Sequence, residues 1–325
     1  MGWEIHVAKT AFRQFADEWD CLNARLYDRR PFFDSRFIEP LLDHFGDGGE
    51  QLCIHRTDAG ISGALILCSI GLGHWRSFCP AQLQTCAVLL DDACLLETLL
   101  AALPGLAWTI ELLAVDPRYS PDLSSLALPQ TVYAHADTIG IRLENSDFRS
   151  YWEGRPKKMA ANIARYFRRA LTEAGACGRA TFVEAADMEA CIDRYGALES
   201  TGWKGRAGTA VSNDNLQGAF YREVLRRFAL SHQAAVHELH LGAHLASSRL
   251  VITNDHMLIC LKTAYNESLA HFAPGRLLLS LLVEESFAEQ SGKTIEFYTN
   301  ATSDQKEWAT FGCTLINVQI FRGPL

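Results

Sequence analysis

Hydrophobic and polar positions repeat along the chain in two rounds of similar order. In the first round "WEIHVA" reads as a strand. Lys9–Leu26 then places Phe12, Phe15, Ala16, Trp19 and Leu22 on one helical stripe. "FFDSRFIEPLLDHFG" reads as a second helix, with Asp34 or Ser35 as N-cap and Gly46 as its stop. "QLCIHRTD" and "ISGALILCSIG" form a hairpin through Ala59-Gly60. Short strands in "HWRSFCP" and "TCAVLL" precede a helix in "DDACLLETLLAALPG", whose acidic first turn suits the positive end of its dipole. "AWTIELLAVD" returns to strand. Pro117, Pro121 and Pro129 then break the pattern before the strands "TVYAHA" and "IGIRLE".

The second round opens with a helix from about Pro156 to Ala174, stopped by Gly175. A strand "RATFVEA", a helix "MEACIDRYGALES", the Gly-rich loop "GWKGRAGTAVS" and a helix "NDNLQGAFYREVLRRFALS" follow. "AAVHELHL", "ASSRLVIT" and "HMLICLKTAY" make a meander turning at Gly242-Ala243 and Asn254-Asp255. An apolar helix after Pro274-Gly275, the strand "KTIEFYTN", a short helix "SDQKEWATFG" and the strand "CTLINVQIFRG" close the chain. The order predicts an α/β (α+β) protein of two tandem domains, 1–145 and 146–325, each a mostly antiparallel mixed sheet flanked by helices.

Composition narrows the function classes. A length of 325 residues fits two domains, and 48% apolar with 21% charged residues is ordinary for a globular chain. A net charge of −8 argues against gripping nucleic acid with the whole surface. The ten cysteines form no CxxC pair and sit mostly in apolar runs, as expected for thiols in a reducing compartment. The start carries no signal-peptide pattern, and no apolar run approaches the ~20 residues of a membrane span, so a cytoplasmic protein is expected.

Three stretches suggest chemistry. The helix after Pro274-Gly275 has no acidic residue in its first two turns and begins with Arg276. Its free N–H groups and dipole suit a phosphate or carboxylate, and Gly275 permits close approach. The helix 156–174 aligns Lys158, Asn162, Arg165 and Arg169 on one face, with six Lys/Arg against one acidic residue between 155 and 175. Such a stripe either meets phosphates or is a solvated face. The Gly-rich loop carries Trp203, Lys204 and Arg206, groups suited to a lid over an acceptor substrate or to a plain connector. His237, His240 and His244 do not make a metal site, because His237 and His240 face opposite sides of a strand and His244 lies at the turn. No metal is expected.

Leu245-Ala246 after a turn, Tyr265 ending a long strand, Pro274-Gly275 opening a helix, the strand after "GK" and Lys306-x-Trp308 follow one another in an order that resembles the GNAT superfamily of N-acyltransferases. More narrowly, the chain resembles the CelD-like acyltransferases associated with cellulose and exopolysaccharide clusters, relatives of the Fem aminoacyl-tRNA transferases. It departs from the usual Gln/Arg-x-x-Gly-x-Gly/Ala phosphate loop, having "HFAPGRLL" with one glycine. The resemblance implies two GNAT-like domains, the first degenerate. It implies transfer of an acyl group from acetyl-CoA or another acyl-CoA to a small-molecule amine or amino-sugar acceptor. Pro274, Gly275, Arg276, Leu277 and Lys306 would hold the donor in a cleft between splayed strands. Tyr265 or Tyr298 would serve as acid, and Glu267, Asp304 or His271 as base. The resemblance leaves two alternatives: a Fem-like enzyme that takes its acyl group from aminoacyl-tRNA, and a non-catalytic GNAT-fold assembly protein.

Overall fold

The structure is a computed structural model that describes residues 2–323 apart from 144–146, 207, 209, 213 and 290–292. The side chains of Trp203 and Lys204 also lie outside the description. The chain folds as two compact units, Met1–Thr138 with Cys313–Leu325, and Ile139–Gly312.

The first unit contains β1 (Gly2–Val7), α1 (Ala8–Tyr27), α2 (Ser35–Phe45), β2 (Gln51–Thr57), β3 (Gly60–Gly71), β4 (His74–Ser77), β5 (Leu89–Leu90), α3 (Leu95–Ala102), β6 (Thr109–Val115) and most of β7 (Gln130–Arg142). The predicted stripe on α1 buries Phe12, Trp19 and Leu22, and Trp19 Nε1 donates to the Phe33 carbonyl at 2.6 Å. Asp34 caps α2 by accepting the Arg36 N–H, and Gly46 ends it. β1–β2, β2–β3 and β3–β4 pair antiparallel, whereas β4 and β6 pair parallel. β7 is one long strand where the sequence suggests two: Asp137 continues it, its carboxylate accepting the Thr314 hydroxyl at 2.8 Å.

The second unit contains α4 (Phe148–Glu153), α5 (Lys157–Glu173), β8 (Cys177–Phe182), α6 (Met188–Ser200), α7 (Trp203–Arg206), α8 (Leu216–Ala229), β9 (Ala234–Leu241), β10 (His244–Thr253), β11 (Met257–Tyr265), α9 (Pro274–Ala288), β12 (Thr294–Phe297) and α10 (Ser303–Lys306). Its strand order is β7-β12-β11-β10-β9-β8, antiparallel except for the parallel pair β11–β12. α8 is capped by Asn215, which accepts the Gly218 N–H, and α5 ends at Gly175 with φ +77. Met159, Ile163 and Ala170 of α5 and Leu277, Leu278 and Leu282 of α9 share one core. Strand alternation separates the layers. Ser247 reaches the Pro274 carbonyl of α9 at 3.0 Å, while Glu238, paired with the neighbouring Ser248, reaches Arg194 of α6 at 2.8 Å. So α9 and α5 cover one face, α6 and α8 the other.

The last strand, β13 (Phe311–Phe321), corrects the expected division at 145. It pairs antiparallel with β6, and 313–325 belong to the first unit rather than the second. Its inward residues Val318 and Ile320 join that unit's core, and Asn317 Oδ1 accepts the Ala114 N–H at 2.8 Å. Among the described residues no helix is long and apolar enough to cross a membrane.

Candidate active site

The parallel pair β11–β12 is short. It runs through Met257↔Thr294, Leu258↔Ile295 and Ile259↔Glu296 and stops there. β11 continues to Tyr265 on its β10 side, while β12 ends at Phe297. The separation coincides with a bulge. Leu250 pairs with Lys262 and Val251 with Cys260, so Leu261 is the extra residue. A bulge bends its strand and re-aims the side chains beyond it. Among the described residues, Cys260–Tyr265 therefore continue β11 without a pairing to β12 along that edge. Such an edge offers backbone N–H and C=O groups to a ligand.

α9 begins beside this edge. Its N-cap, Ala273, sits in the left-handed region at φ 51, a conformation that costs a non-glycine residue about 1 kcal/mol. Pro274 follows, and Ser247 holds its carbonyl. The N–H groups of Arg276 and Leu277 both donate to the Ala273 carbonyl, at 2.9 and 3.1 Å. Both N–H groups thus turn back into the helix start, and the Leu277 side chain is fully buried. The Gly275 N–H bonds to none of the described residues. A Cβ built on Gly275 would meet only Thr263 Cγ2, at 4.0 Å, so the space in front of this turn is open.

The structure brings the candidate residues into two ion pairs. Arg276 of α9 pairs with the exposed Asp304 at the start of α10. Arg206 of α7 pairs with Glu267 at 3.1 Å, on a 3-10 turn over Glu267–Phe272 where the sequence suggests a plain loop. Tyr265 at the end of β11 is exposed, and Tyr298 after β12 is buried. Lys306 is exposed at the end of α10. The described backbone of the Gly-rich loop is packed rather than open. A Cβ on Gly205 would lie 1.9 Å from the Ser200 carbonyl, and Ala210 and Val211 are buried. The basic face of α5 is solvated at Lys158, Arg165 and Arg169, while Met159, Ile163 and Ala170 pack inward. His271 lends its carbonyl to Arg169. Among the described residues no His, Cys, Asp and Glu cluster is arranged to hold a metal.

One polar cluster escapes the sequence motifs. Glu199 on α6 is 5% exposed and accepts the Val211 N–H at 2.8 Å and the Tyr195 hydroxyl at 3.2 Å. Lys262, just past the bulge on β11, places Nζ 3.8 Å from Glu199 and 3.3 Å from Gln217 Oε1, over the Tyr221 ring. Burial, then the Glu199 charge, pushes the Tyr195 and Tyr221 hydroxyls well up, so both stay protonated donors. Gly196 makes the cluster possible. A Cβ there would lie 2.8 Å from the Val211 carbonyl, so only glycine lets the loop reach Glu199. The available signal was the spacing of Tyr195 and Glu199, one turn apart on one helix face.

Residues 157–306 match the family model described as an acetyltransferase (GNAT) domain. No curated protein matches the chain. Among solved structures, the C-terminal DUF2156 domain of a putative lysylphosphatidylglycerol synthetase from Agrobacterium fabrum matches with a TM-score of 0.60 at 8% identity, over 95% of this chain and 93% of that one. FemX matches with a TM-score of 0.61 at 11% identity, over 99% of this chain and 98% of that one. A tandem GNAT protein from the clavulanic acid biosynthesis pathway matches with a TM-score of 0.50 at 13% identity, over 99% of each chain. What is shared at these identities is the fold: two GNAT-like α/β units in tandem, as the order of elements predicts.

Proposed function

We propose that the chain is a GNAT-type N-acyltransferase that moves an acyl group from acyl-CoA to an amine. The observation that carries this reading is that, among the described residues, the pairing of β11 with β12 stops at Ile259, beside the open helix start at Gly275. The pantetheine arm of CoA contains amides that can pair with a strand edge as a further strand would. Its pyrophosphate suits the Gly275 N–H and the positive end of α9, whose first turn has no acidic residue. Pro274 fixes that turn; Arg276, paired with Asp304, and Lys306 at the end of α10 would add positive charge. Thr263, beside Gly275, lies on the stretch of β11 between the two ends of such a donor.

The reaction needs positioning and two proton movements. The amine nitrogen attacks the thioester carbonyl, a C–N bond forms, the C–S bond breaks, and the thiolate leaves with a proton. Tyr298, next to Phe297 where the strands part, suits the donor of that proton better than the exposed Tyr265. Glu267 and Asp304 are solvent-accessible and each held by an arginine, whereas Glu199 is buried beside Lys262 of β11, so Glu199 is the stronger candidate to receive the amine proton. Arg206, with Trp203 and Lys204, would border the acceptor. An acyl-CoA donor also favours a cytoplasmic setting. The motif order keeps a CelD-like role, with an amino-sugar acceptor in exopolysaccharide or envelope metabolism, within the proposal.

A Fem-like reading, with an aminoacyl-tRNA donor, draws support from the solvated basic face of α5 and the fold shared with FemX. Calorimetry with acetyl-CoA, CoA and tRNA separates the two. Wild type is expected to bind CoA species, and Gly275→Glu to lose that binding with its circular dichroism unchanged, because the added side chain enters open space. Unchanged CoA affinity in the variant, or steeply salt-dependent tRNA binding without CoA binding, would sink the acyl-CoA assignment.

A further inference from the structure

Arg249 stands in the middle of β10, paired with His237 of β9 on one side and Thr263 of β11 on the other, and is 5% exposed. A buried guanidinium ordinarily has a carboxylate, because an uncompensated buried charge costs several kcal/mol. Arg30 follows that rule: fully buried, it lies 3.1 Å from Asp116. Arg249 does not follow it. Its Nη1 donates to the Cys260 thiol at 3.4 Å, and its carbon lies 5.9 Å from the Phe297 ring centroid. Nε is buried without a partner, and no carboxylate among the described residues pairs with the group. A thiol and a distant ring are weak substitutes for an anion.

The two contacts also locate the guanidinium. Cys260 and Phe297 are the first residues beyond the last parallel pair, Ile259↔Glu296. Arg249 therefore sits where β11 and β12 part. With Nη1 turned to Cys260, the Nε–Nη2 edge is left, and this planar fork matches a carboxylate through two parallel hydrogen bonds. His237, the pairing partner of Arg249 on β9, and Cys260, which accepts from its guanidinium, bring no negative charge. Burial, then the charges of Arg179 and Arg249, holds His237 down to about 4, and burial pushes the Cys260 thiol up, so both are neutral near pH 7.

We propose that Arg249 is a specificity-determining residue that binds a carboxylate of the substrate at the inner end of the cleft. The proposal rests on the acyltransferase reading above. Two molecules can bring the carboxylate: a donor whose acyl group is a dicarboxylic acid, or an acceptor that is an amino acid.

The test uses the full chain with CoA, acetyl-CoA and succinyl-CoA by calorimetry. Turnover of acetyl-CoA with glycine against methylamine forms the second arm. Wild type is expected to favour the carboxylate-bearing partner about tenfold in one arm, the difference typical of a charge-assisted pair. The arm that responds identifies the source. Arg249→Met should erase that ratio. Arg249→Lys, which keeps the buried charge but loses the fork, should reduce it severalfold and serves where the Met variant fails to fold. Equal ratios in both arms of wild type, or a preference that survives either substitution, overturns the role of Arg249 while leaving the acyltransferase reading intact. Binding of no CoA species ends both.

Discussion

In the first unit β4 and β6 pair in parallel from His74↔Thr109 to Arg76↔Glu111, and the pair is then held shut. Ser77 Oγ accepts the Leu113 N–H at 2.9 Å, and Arg76 bonds Glu111 at 2.7 Å. The connecting helix α3 has Glu97 in its first turn, where an anion would be repelled. In the second unit β11 and β12 are likewise parallel and likewise joined by a helix, α9. There the strands part after three pairs, a bulge occupies the point of separation, and the first turn carries no acid. One topology thus serves packing in one unit and leaves an open edge in the other. Register irregularities occur in both units, on β6 as on β11, so the difference lies in a serine that bridges and a glutamate at the helix start.

The largest expected effect separates two carboxylates, one half-buried and one buried. Asp20 in the first unit accepts the backbone N–H and hydroxyl of Ser35, at 2.8 and 2.6 Å, and so joins α1 to α2. Glu199 in the second unit instead reaches Lys262 on the open strand. Glu199→Gln should lower kcat by ~100-fold or more, the range of a general base, whereas Asp20→Asn should leave it unchanged. Steady-state kinetics of the two variants decide this. Equal losses, or none in Glu199→Gln, would remove Glu199 from the proposed mechanism.

Next in size is the charge at the two helix starts. Arg276→Glu gives α9 an acidic first turn like that of α3, and donor affinity should fall roughly 30-fold or more. Glu97→Lys, the mirror change, should create no CoA site, because β4 and β6 remain closed above it. Calorimetry of both variants checks the pair; a new site in Glu97→Lys would mean that helix charge alone suffices.

These residues also mark what the sequence could carry. β11, the Pro274-Gly275 turn and α9 are legible because strand alternation, a turn dipeptide and an apolar helical run are local patterns. The bulge at Leu261 is not, since it depends on the register between β10 and β11 and leaves no mark in "LICLK". Glu199 looks like a surface residue of α6 until Gly196 lets Val211 close over it. The partner of β13 is hidden for a similar reason: alternation identifies Val318 and Ile320 as inward-facing but does not say which core receives them.

Acid should move the two units in opposite directions. Burial, then the charge of Asp34, raises Asp20 from 3.8 to about 6. Asp20 therefore binds a proton more readily in the folded first unit than in the unfolded chain and adds stability as pH falls through 6 towards 4. His55 of that unit, which burial holds below its ordinary value, contributes an opposing loss. His237 is lowered from 6.5 to about 4, so the folded second unit resists a proton that the unfolded chain accepts. That unit loses stability as pH falls below 6.5, by roughly 2 kcal/mol between pH 7 and 5. Hydrogen exchange at the two pH values, corrected for intrinsic rates, reads the units separately. His237→Asn should flatten the second unit's slope alone; the same sign in both units would contradict the assignment.

The smallest effect tests whether the first unit's closure is electrostatic. The Arg76–Glu111 pair is well exposed on the arginine side, so Arg76→Met should cost at most about 1 kcal/mol in urea denaturation. Ser77 lies one residue further on, is buried, and keeps its hydroxyl bond to Leu113 in that variant. The strands should therefore stay closed, and Arg76→Met should show no new affinity for CoA. If the variant does bind CoA, the ion pair rather than the serine bridge keeps the first unit's edge from a ligand, and the contrast between the units reduces to one surface charge pair.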